Sequence, residues 1–271
     1  MAVTKVENLI QPEVMAEAIA HKLEAKLKAS PFSKLDTTLQ GTAGLTITVP
    51  SYVYGGEAED LVEGQEMTAT LLEMSSRDVT VKQAGKAFKL TDKAVLGGYG
   101  DPLGNAEKQL LDSIADKIDT DHFEAFAQTS LEYNFVPATE ISYELIVGAV
   151  DKFAEEDDEP KYLFINPAQK TQLRLDPKFV ESVPNAYTQS NVSEIGGCIV
   201  VASNKIKKDA EGNYLNFIVK PEATTIYLKK DVEVETERNS LAKTTYLSAD
   251  AFYAVALENE GKVVKFKSLA E

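Results

Sequence analysis

Residue types that carry enzyme chemistry are scarce in this chain, which has two histidines and one cysteine. His21 and His122 both fall on segments that predict helices, and His122 lies on an apolar stripe, so we interpret it as a packing residue. No serine lies in the strand-to-helix turn that a hydrolase nucleophile requires. Cys198 lies in an apolar run at residues 195–201, which is typical of a small buried side chain.

Carboxylates and glycines, the other candidate groups, do not form a recognisable site either. Asp119 and Asp121 are two residues apart on a predicted helix and therefore lie on different faces, which argues against a joint role in acid–base catalysis. The acidic run at 155–159 is typical of a solvated helix end. Glycines at 97–104 match neither the dinucleotide nor the phosphate-loop spacing, and Asp101 would repel a phosphate. The sequence predicts no catalytic residue, no cofactor and no metal site.

The net charge argues against one large class of function. The 271 residues include 28 basic and 43 acidic ones, a formal charge of −15. A surface of that sign repels phosphate, so we do not expect specific binding of nucleic acid. No stretch has the pattern of a signal peptide or the length of a membrane span. We therefore expect a globular protein made in a cytosol, with no membrane partner.

A long amphipathic helix is predicted at residues 103–128. Asp101 is placed as its N-cap, and Pro102 at its first position, where a proline is favourable. Apolar residues then recur at helical spacing and define one buried stripe. Central members of that stripe are Leu111, Ile114 and Ile118. We interpret this segment as a spine on which sheets lie.

Upstream of the spine helix, the pattern predicts a helix at 11–29 and then a long hairpin. Leu45, Ile47 and Val49 alternate with threonines, which indicates a half-buried strand, and a similar alternation at 67–71 predicts the returning strand. The acidic residues of the loop between them are Glu57, Glu59, Asp60, Glu63 and Glu66. We expect this tip to contact another subunit, and a solvated hairpin within one domain stays open as the alternative.

The second half of the chain indicates an α/β segment followed by a strand-rich tail. A helix at 141–155, a strand at 162–165 and a short helix at 168–175 come first. The further predicted strands are at 199–202, 213–219, 225–228, 232–237, 244–247, 252–257 and 263–266. Helices and strands in this order predict an α+β protein.

Five stretches of the sequence carry a resemblance. They are GGEAEDLVEG at 55–64, KAFKLTD at 86–92, LGGYGDP at 96–102, IGG at 195–197 and SADAF at 248–252. Together with the order of the predicted elements, they resemble the major capsid protein of tailed bacteriophages, which has the Hong Kong 97 fold. The likeness covers nearly the whole chain and implies an α+β, Hong Kong 97-like phage capsid fold.

The resemblance implies four segments with different roles. Residues 1–40 would form an N-terminal arm, and residues 41–76 an extended hairpin loop that overlaps an adjacent subunit. Residues 77–135 and 224–271 would form a peripheral domain that contains the spine helix. Residues 136–223 would form an axial domain, which meets its copies at the centre of hexamers and pentamers.

The function that the resemblance implies is that of a major capsid protein, which self-assembles into the icosahedral head of a tailed double-stranded DNA phage. Its expected partners are its own copies in hexamers and pentamers, a scaffolding protein and a portal, with a decoration protein in addition. The head would enclose double-stranded DNA without binding it specifically. The subunit would assemble in the host bacterial cytoplasm and reside in the virion.

One departure and two alternatives accompany this interpretation. Some relatives lock their shell through a lysine on the extended loop, but residues 35–81 contain no lysine, so we expect no such isopeptide bond. An encapsulin-type nanocompartment shares the fold and would have a cargo-docking groove on its inner wall. A cytosolic α/β enzyme would instead be a small oligomer with a pocket.

Overall fold

The computed structural model describes most of the chain in eight segments. They are residues 28–41, 43–52, 71, 74–98, 100–133, 140–154, 159–176 and 193–269. The predicted N-terminal helix at 11–29 lies outside these segments except for its last two residues. In the described part of the chain, no helix combines the length and the apolar character that crossing a bilayer takes.

Twelve strands and four α-helices occur in the described segments. The strands are β1 (Lys34–Asp36), β2 (Thr46–Tyr52), β3 (Met74–Thr80), β4 (Lys82–Thr91), β5 (Glu132–Tyr133), β6 (Lys161–Ile165), β7 (Glu194–Ile195), β8 (Cys198–Ala202), β9 (Asn213–Val219), β10 (Thr224–Asn239), β11 (Thr244–Leu257) and β12 (Val263–Leu269). The helices are α1 (Asp92–Gly97), α2 (Pro102–Phe126), α3 (Tyr143–Val150) and α4 (Pro167–Leu175).

A four-stranded sheet packs on the spine helix α2. Its strand order is β1-β10-β11-β4, with β1 parallel to β10 and the other pairs antiparallel. Alternate residues of β10 and β11, such as Val234 and Leu247, point at the apolar stripe of α2 and are buried with it. Side chains two residues apart on the strands and three or four apart on the helix are therefore buried in one core.

A six-stranded sheet forms the second core. Its order is β5-β12-β9-β6-β8-β7, and α3 and α4 contribute Ile146 and Leu173 to its apolar cluster. The end of α2 reaches this sheet as well, because the Phe123 ring meets Phe164 edge-on with centroids 5.5 Å apart. At ~1.5 Å per residue, α2 is about 38 Å long, which is enough to span both cores.

Hydrogen bonds from side chains cap the first turns of several helices. The Asp101 carboxylate accepts a hydrogen bond from the Gly104 N–H at 3.1 Å, and Pro102 occupies the first turn of α2. In α4, Asn166 and Gln169 form a reciprocal capping box. Helix α1 was not predicted; Thr91 caps it through the Ala94 N–H.

Strand β2 of the extended hairpin pairs with a segment that lies later in the chain than the predicted returning strand. Strand β2 includes the predicted alternation, but it pairs with β3, from Thr46 opposite Thr80 to Tyr52 opposite Met74. The predicted returning strand at 67–71 lies outside the described residues except for Leu71. Alternation alone does not specify a partner, and Val79 supplies the buried contact that selects this register.

The end of the chain contributes strands to both large sheets. Strand β12 belongs to the six-stranded sheet, where it runs antiparallel to β9 and parallel to β5. Strands β10 and β11 thus lie in the four-stranded sheet, and β12 lies in the six-stranded one. The reason is burial, since Val264 and Phe266 are fully buried in the core of the six-stranded sheet.

Candidate assembly surfaces

The base of the extended hairpin is fixed to the body of the subunit. Arg77 on β3 forms an ion pair with Glu260 at 2.8 Å. Ile47 and Val49 pack on an apolar cluster that includes Val79 and Tyr227. Glu57, Glu59, Asp60, Glu63 and Glu66, the predicted tip residues, lie outside the described residues. The stem thus holds both ends of the loop at a defined place on the subunit.

The structure places the other predicted residues on the spine helix. Asp101 and Pro102 stand at its start, as described above. Leu111, Ile114 and Ile118 are each less than 10% exposed and belong to one apolar cluster with β10 and β11. These three side chains are interior ones, so a contact with another subunit has to come from other residues.

A buried carboxylate that sequence reasoning did not select joins three elements. Asp121 on α2 accepts hydrogen bonds from the ammonium groups of Lys82 and Lys117 at 2.7 Å each. The Tyr253 hydroxyl donates a third, at 2.6 Å. Burial by itself raises the pKa of Asp121, but these three donors outweigh it and hold the pKa below its ordinary value. Only the Lys117–Asp121 spacing of four was visible in the sequence.

A second buried carboxylate holds the base of the N-terminal arm. Asp119 accepts hydrogen bonds from the backbone N–H groups of Lys28 and Ala29, at 3.1 and 3.2 Å. Burial raises the pKa of Asp119, and these backbone donors oppose the rise. Phe32 then stacks on Tyr162 with ring centroids 3.9 Å apart. The arm is therefore attached to the body from Lys28 onward.

His122 and Cys198 lie in the interior. His122 is fully buried, with its Nδ1 atom 3.3 Å from the Ser33 and Thr224 hydroxyl oxygens. Burial lowers the pKa of His122 to about 4, so the ring is neutral at pH 7. Cys198 is also fully buried, at the start of β8. Both environments are those of packed side chains.

Two carboxylates that line a surface cavity have partners within the subunit. A cavity of about 350 Å³ is lined by Asp112, Ala115, Asp116 and Asp119 of α2. Asp116 forms an ion pair with Lys205 at 3.0 Å, and Asp119 holds the arm. Among the described residues, no three potential metal-ligating side chains come together. Asp116 and Asp119 thus serve in contacts that hold the fold together.

Several leucines are more than half exposed and belong to no core. They are Leu35, Leu45, Leu71, Leu96, Leu175 and Leu241. The Asp92 N–H donates to the Lys243 carbonyl, which brings α1 and the β10–β11 turn, and with them Leu96 and Leu241, to one end of the four-stranded sheet. Sequence patterns do not distinguish such residues from core leucines, because exposure is a property of the folded surface.

Comparison with known proteins agrees with this architecture. A family model described as phage capsid protein matches residues 74–266. The chain is 35% identical over 268 residues to the major capsid protein of Staphylococcus phage phiMR11, which covers 97% of this chain and 95% of that protein.

Solved capsid structures have the same fold at low sequence identity. The capsid structure of cyanophage P-SCSP1u matches with a TM-score of 0.71 and 12% identity, over 89% of this chain and 87% of that one. The capsid of a native GTA particle matches with a TM-score of 0.72 and 10% identity, over 99% and 93%. The fold expected from the resemblance is thereby confirmed, and this chain belongs to the phage capsid protein family, with a Hong Kong 97-like fold.

Proposed function

We propose that this chain is the shell subunit of a tailed double-stranded DNA phage head and that its copies assemble as hexamers and pentamers. The observation that carries the proposal is the extended hairpin. Its stem is a separate two-stranded sheet anchored by Arg77 and the apolar residues of β2, so a loop that leaves it has a fixed origin. A loop with a fixed origin can contact a neighbour at a defined place, and many such contacts add up in a symmetric shell.

The segments have distinct roles in this proposal. Residues 1–40 are the arm, and residues 41–76 the extended loop, whose acidic tip rests on an adjacent subunit. Residues 136–223 form the axial domain, and residues 77–135 and 224–271 form the peripheral domain. Support comes from the packing of the spine helix with β4, β10 and β11 in one apolar core and from the attachment of the arm at Asp119.

The charge of the subunit suits a container for nucleic acid. A formal charge of −15 disfavours adhesion of packaged DNA to the wall, so the head encloses the genome without binding it specifically. A scaffolding protein and a portal direct assembly in the host bacterial cytoplasm, and a decoration protein is a further partner. No reaction is assigned to the subunit, whose buried carboxylates serve as structural acceptors.

Electron microscopy of the expressed chain, with and without its neighbouring head genes, tests the proposal. Closed icosahedral shells, or free hexamers and pentamers, are the expected product. A uniform small dimer or tetramer under all conditions would refute it. A shell that forms only around a co-expressed cargo protein would favour the nanocompartment alternative.

A pair of variants separates the loop from the fold. Deletion of residues 55–65 should leave a folded subunit that does not form shells, because in this proposal the acidic tip serves the contact with a neighbour and not the core of the subunit. Ile114→Asp should prevent folding, since an unpaired carboxylate in the core costs several kcal/mol. Circular dichroism reports the fold, and microscopy reports assembly. Normal shells from the deletion variant would contradict the role of the loop.

A further inference from the structure

Helix α1 and the β10–β11 turn adjoin at one end of the four-stranded sheet. The last strand pair at this end is Thr91 opposite Thr244. Beyond that pair, the Asp92 N–H donates to the Lys243 carbonyl at 2.9 Å, so the turn contacts the start of α1. The Arg238 guanidinium also donates two hydrogen bonds to the Asp92 carboxylate, at 2.9 and 2.8 Å. The two segments therefore form one fixed surface.

This surface combines exposed leucines with lysines. Leu96 of α1 is 87% exposed, and Leu241 of the turn is 95% exposed. Lys93 and Lys243 lie in the same two segments and are exposed as well. Neither lysine forms an ion pair within the described part of the chain. Apolar residues bordered by charged ones are the usual makeup of a protein docking surface. We call these four residues the end patch.

The end of the sheet is basic in a subunit that is strongly acidic. Residues 89–104 and 238–245 carry four basic side chains and two carboxylates. Both carboxylates are engaged, that of Asp92 with Arg238 and that of Asp101 with the backbone at the start of α2. The chain as a whole has a formal charge of −15. A local excess of positive charge on such a protein attracts an acidic partner.

The acidic tip of the extended loop has the matching composition. Residues 55–66 include five acidic side chains and no basic one. Leu61 and Val62 are adjacent apolar residues in the middle of this segment. The acidic run at 155–158 is shorter and contains no apolar residue. The tip therefore complements the end patch in both charge and apolar content, whereas the acidic run complements it in charge alone.

The stem of the hairpin lies at the opposite end of the same sheet. Strand β4 starts at Lys82, which pairs with Tyr253 in the second half of β11. Strand β3 precedes β4, and its Arg77 guanidinium donates to the carbonyl of Leu257, the last residue of β11, at 3.4 Å. From β4 back through β3, the chain therefore continues away from the end patch. The two stem strands thus point away from the end patch of their own subunit.

Distance also excludes the tip of the same subunit. Strand β11 has 14 residues from Thr244 to Leu257, which makes it roughly 43 Å long. The loop between the two stem strands comprises residues 53–73. A chain of that length that leaves and returns reaches about 38 Å from its root at most. An acidic tip on the end patch therefore belongs to another copy.

We propose that the acidic tip of one subunit, residues 55–66, docks on the end patch of a second copy. Leu61 and Val62 pack on the two patch leucines, and the tip carboxylates face the two patch lysines. Because two different surfaces meet, the contact is heterologous, and its repetition about an axis closes a ring. The inference rests on the proposed function, since it names the surface on which the loop of a neighbouring subunit rests.

An engineered disulfide tests the contact directly. Cys198 is fully buried, so introduced surface cysteines are the reactive ones in the folded chain. After assembly and mild oxidation, Leu61→Cys with Leu241→Cys should give a ladder of covalent multimers on non-reducing denaturing gels, and a reductant should return them to monomers. Chains longer than a dimer need both cysteines, so neither single variant should exceed a dimer. A disulfide confined to monomers would overturn the proposal, because the tip would then lie on its own subunit.

Leu61→Cys with Leu175→Cys is the matched control. Leu175 is the last residue of α4 and is 75% exposed, so it offers an equally accessible position outside the end patch. This variant should give no multimers beyond a dimer. Ladders of equal intensity in the two double variants would indicate random collisions, and the proposal would be wrong.

Charge reversal gives an independent readout. The patch variant is Lys93→Glu with Lys243→Glu, and the tip variant is Glu59→Lys with Glu63→Lys. Each should fold like the wild type by circular dichroism. Each should need about tenfold more protein or more to assemble, because attraction becomes repulsion at every contact. The fourfold variant should assemble at the wild-type concentration, and a fourfold variant as impaired as the double ones would show that the two surfaces do not meet.

These outcomes separate failure of the docking site from failure of the proposed function. Wild-type shells together with an unimpaired patch variant and no ladder from the 61–241 pair would refute the end patch alone. Failure of the wild type to form capsomers or shells, even with its neighbouring head genes, would refute both proposals.

Discussion

Replacement of Asp121 by asparagine tests whether the buried carboxylate stabilises the junction of the spine helix with the four-stranded sheet. The substitution keeps the size and one carbonyl oxygen, but it removes the negative charge. The Asp121 side chain is 2% exposed and accepts three hydrogen bonds at 2.6 to 2.7 Å. The introduced amide could still accept a hydrogen bond from Tyr253, while the two ammonium groups would be left near each other without a counter-charge.

The expected loss of stability follows from those contacts. A hydrogen bond to a charged group contributes ~1.5–3 kcal/mol, which sets an upper range for the two lysine contacts. Lys82 and Lys117 are nearly half exposed, however, and water compensates much of their loss. We therefore expect the free energy of unfolding to fall by about 2–3 kcal/mol at pH 7.

Urea denaturation of unassembled subunits, followed by circular dichroism, measures the change. Asp116→Asn is the matched control, because it makes the same substitution on the same helix and breaks an ion pair of 3.0 Å at a side chain that is 69% exposed. The control should cost about 0.5 kcal/mol or less. Equal losses in the two variants would refute the reasoning that burial makes the Asp121 contacts strong.

The pH dependence gives an independent check on Asp121. Because its pKa is lowered in the folded subunit, the ionised group contributes stability above its ordinary pKa of 3.8 and loses that contribution as the pH falls through the folded pKa. Below about pH 4, the wild type should approach the stability of Asp121→Asn. A constant difference between the two proteins down to pH 2 would contradict this.

Three further outcomes are expected. Asp119→Ala should cost about 1–3 kcal/mol, because two backbone N–H groups at the arm base, of which that of Ala29 is buried, lose their acceptor. Asp119→Asn keeps a carbonyl oxygen and should cost less, and equal losses in urea denaturation would contradict the role of the acceptor. Burial lowers the pKa of His122 to about 4, so unfolding takes up a proton below pH 6.5, and the free energy of unfolding should fall by up to about 3 kcal/mol between pH 6.5 and 4. His122→Gln should lack this pH dependence in denaturation experiments, and an unchanged pH dependence would exclude His122 as its cause. On denaturing gels, mature particles should give a single band at the 29.6 kDa of the subunit, because no lysine lies within residues 35–81, and a ladder of covalent multimers would disprove this expectation.

Local features of the sequence were sufficient to predict several helices and strands. The spine helix was predicted at 103–128 and spans Pro102–Phe126, and β9 coincides with the strand predicted at 213–219. Caps and periodicity involve residues three or four apart, and such neighbours are visible in the sequence. The capsid family was recognised from short stretches and from the order of these elements, and the comparisons confirm it.

Features that depend on distant residues were decided by the tertiary structure. The partner of β2, the place of β12 in the six-stranded sheet and the burial of Asp119 and Asp121 had no local signal. Asp121 and Tyr253 are 132 residues apart in sequence and share a hydrogen bond of 2.6 Å.

The charged residues of the four-stranded sheet show the same division between sequence and structure. The lysines of β4 and the glutamates of β10 are plain in the sequence, but their separation by a single strand follows from the register of β11. Composition and the spacing of apolar residues therefore determined which helices and strands form, because helices and strands depend on residues that are near each other in the sequence. Strand pairing and burial determined which surfaces the subunit presents, because they depend on contacts between residues far apart in the chain.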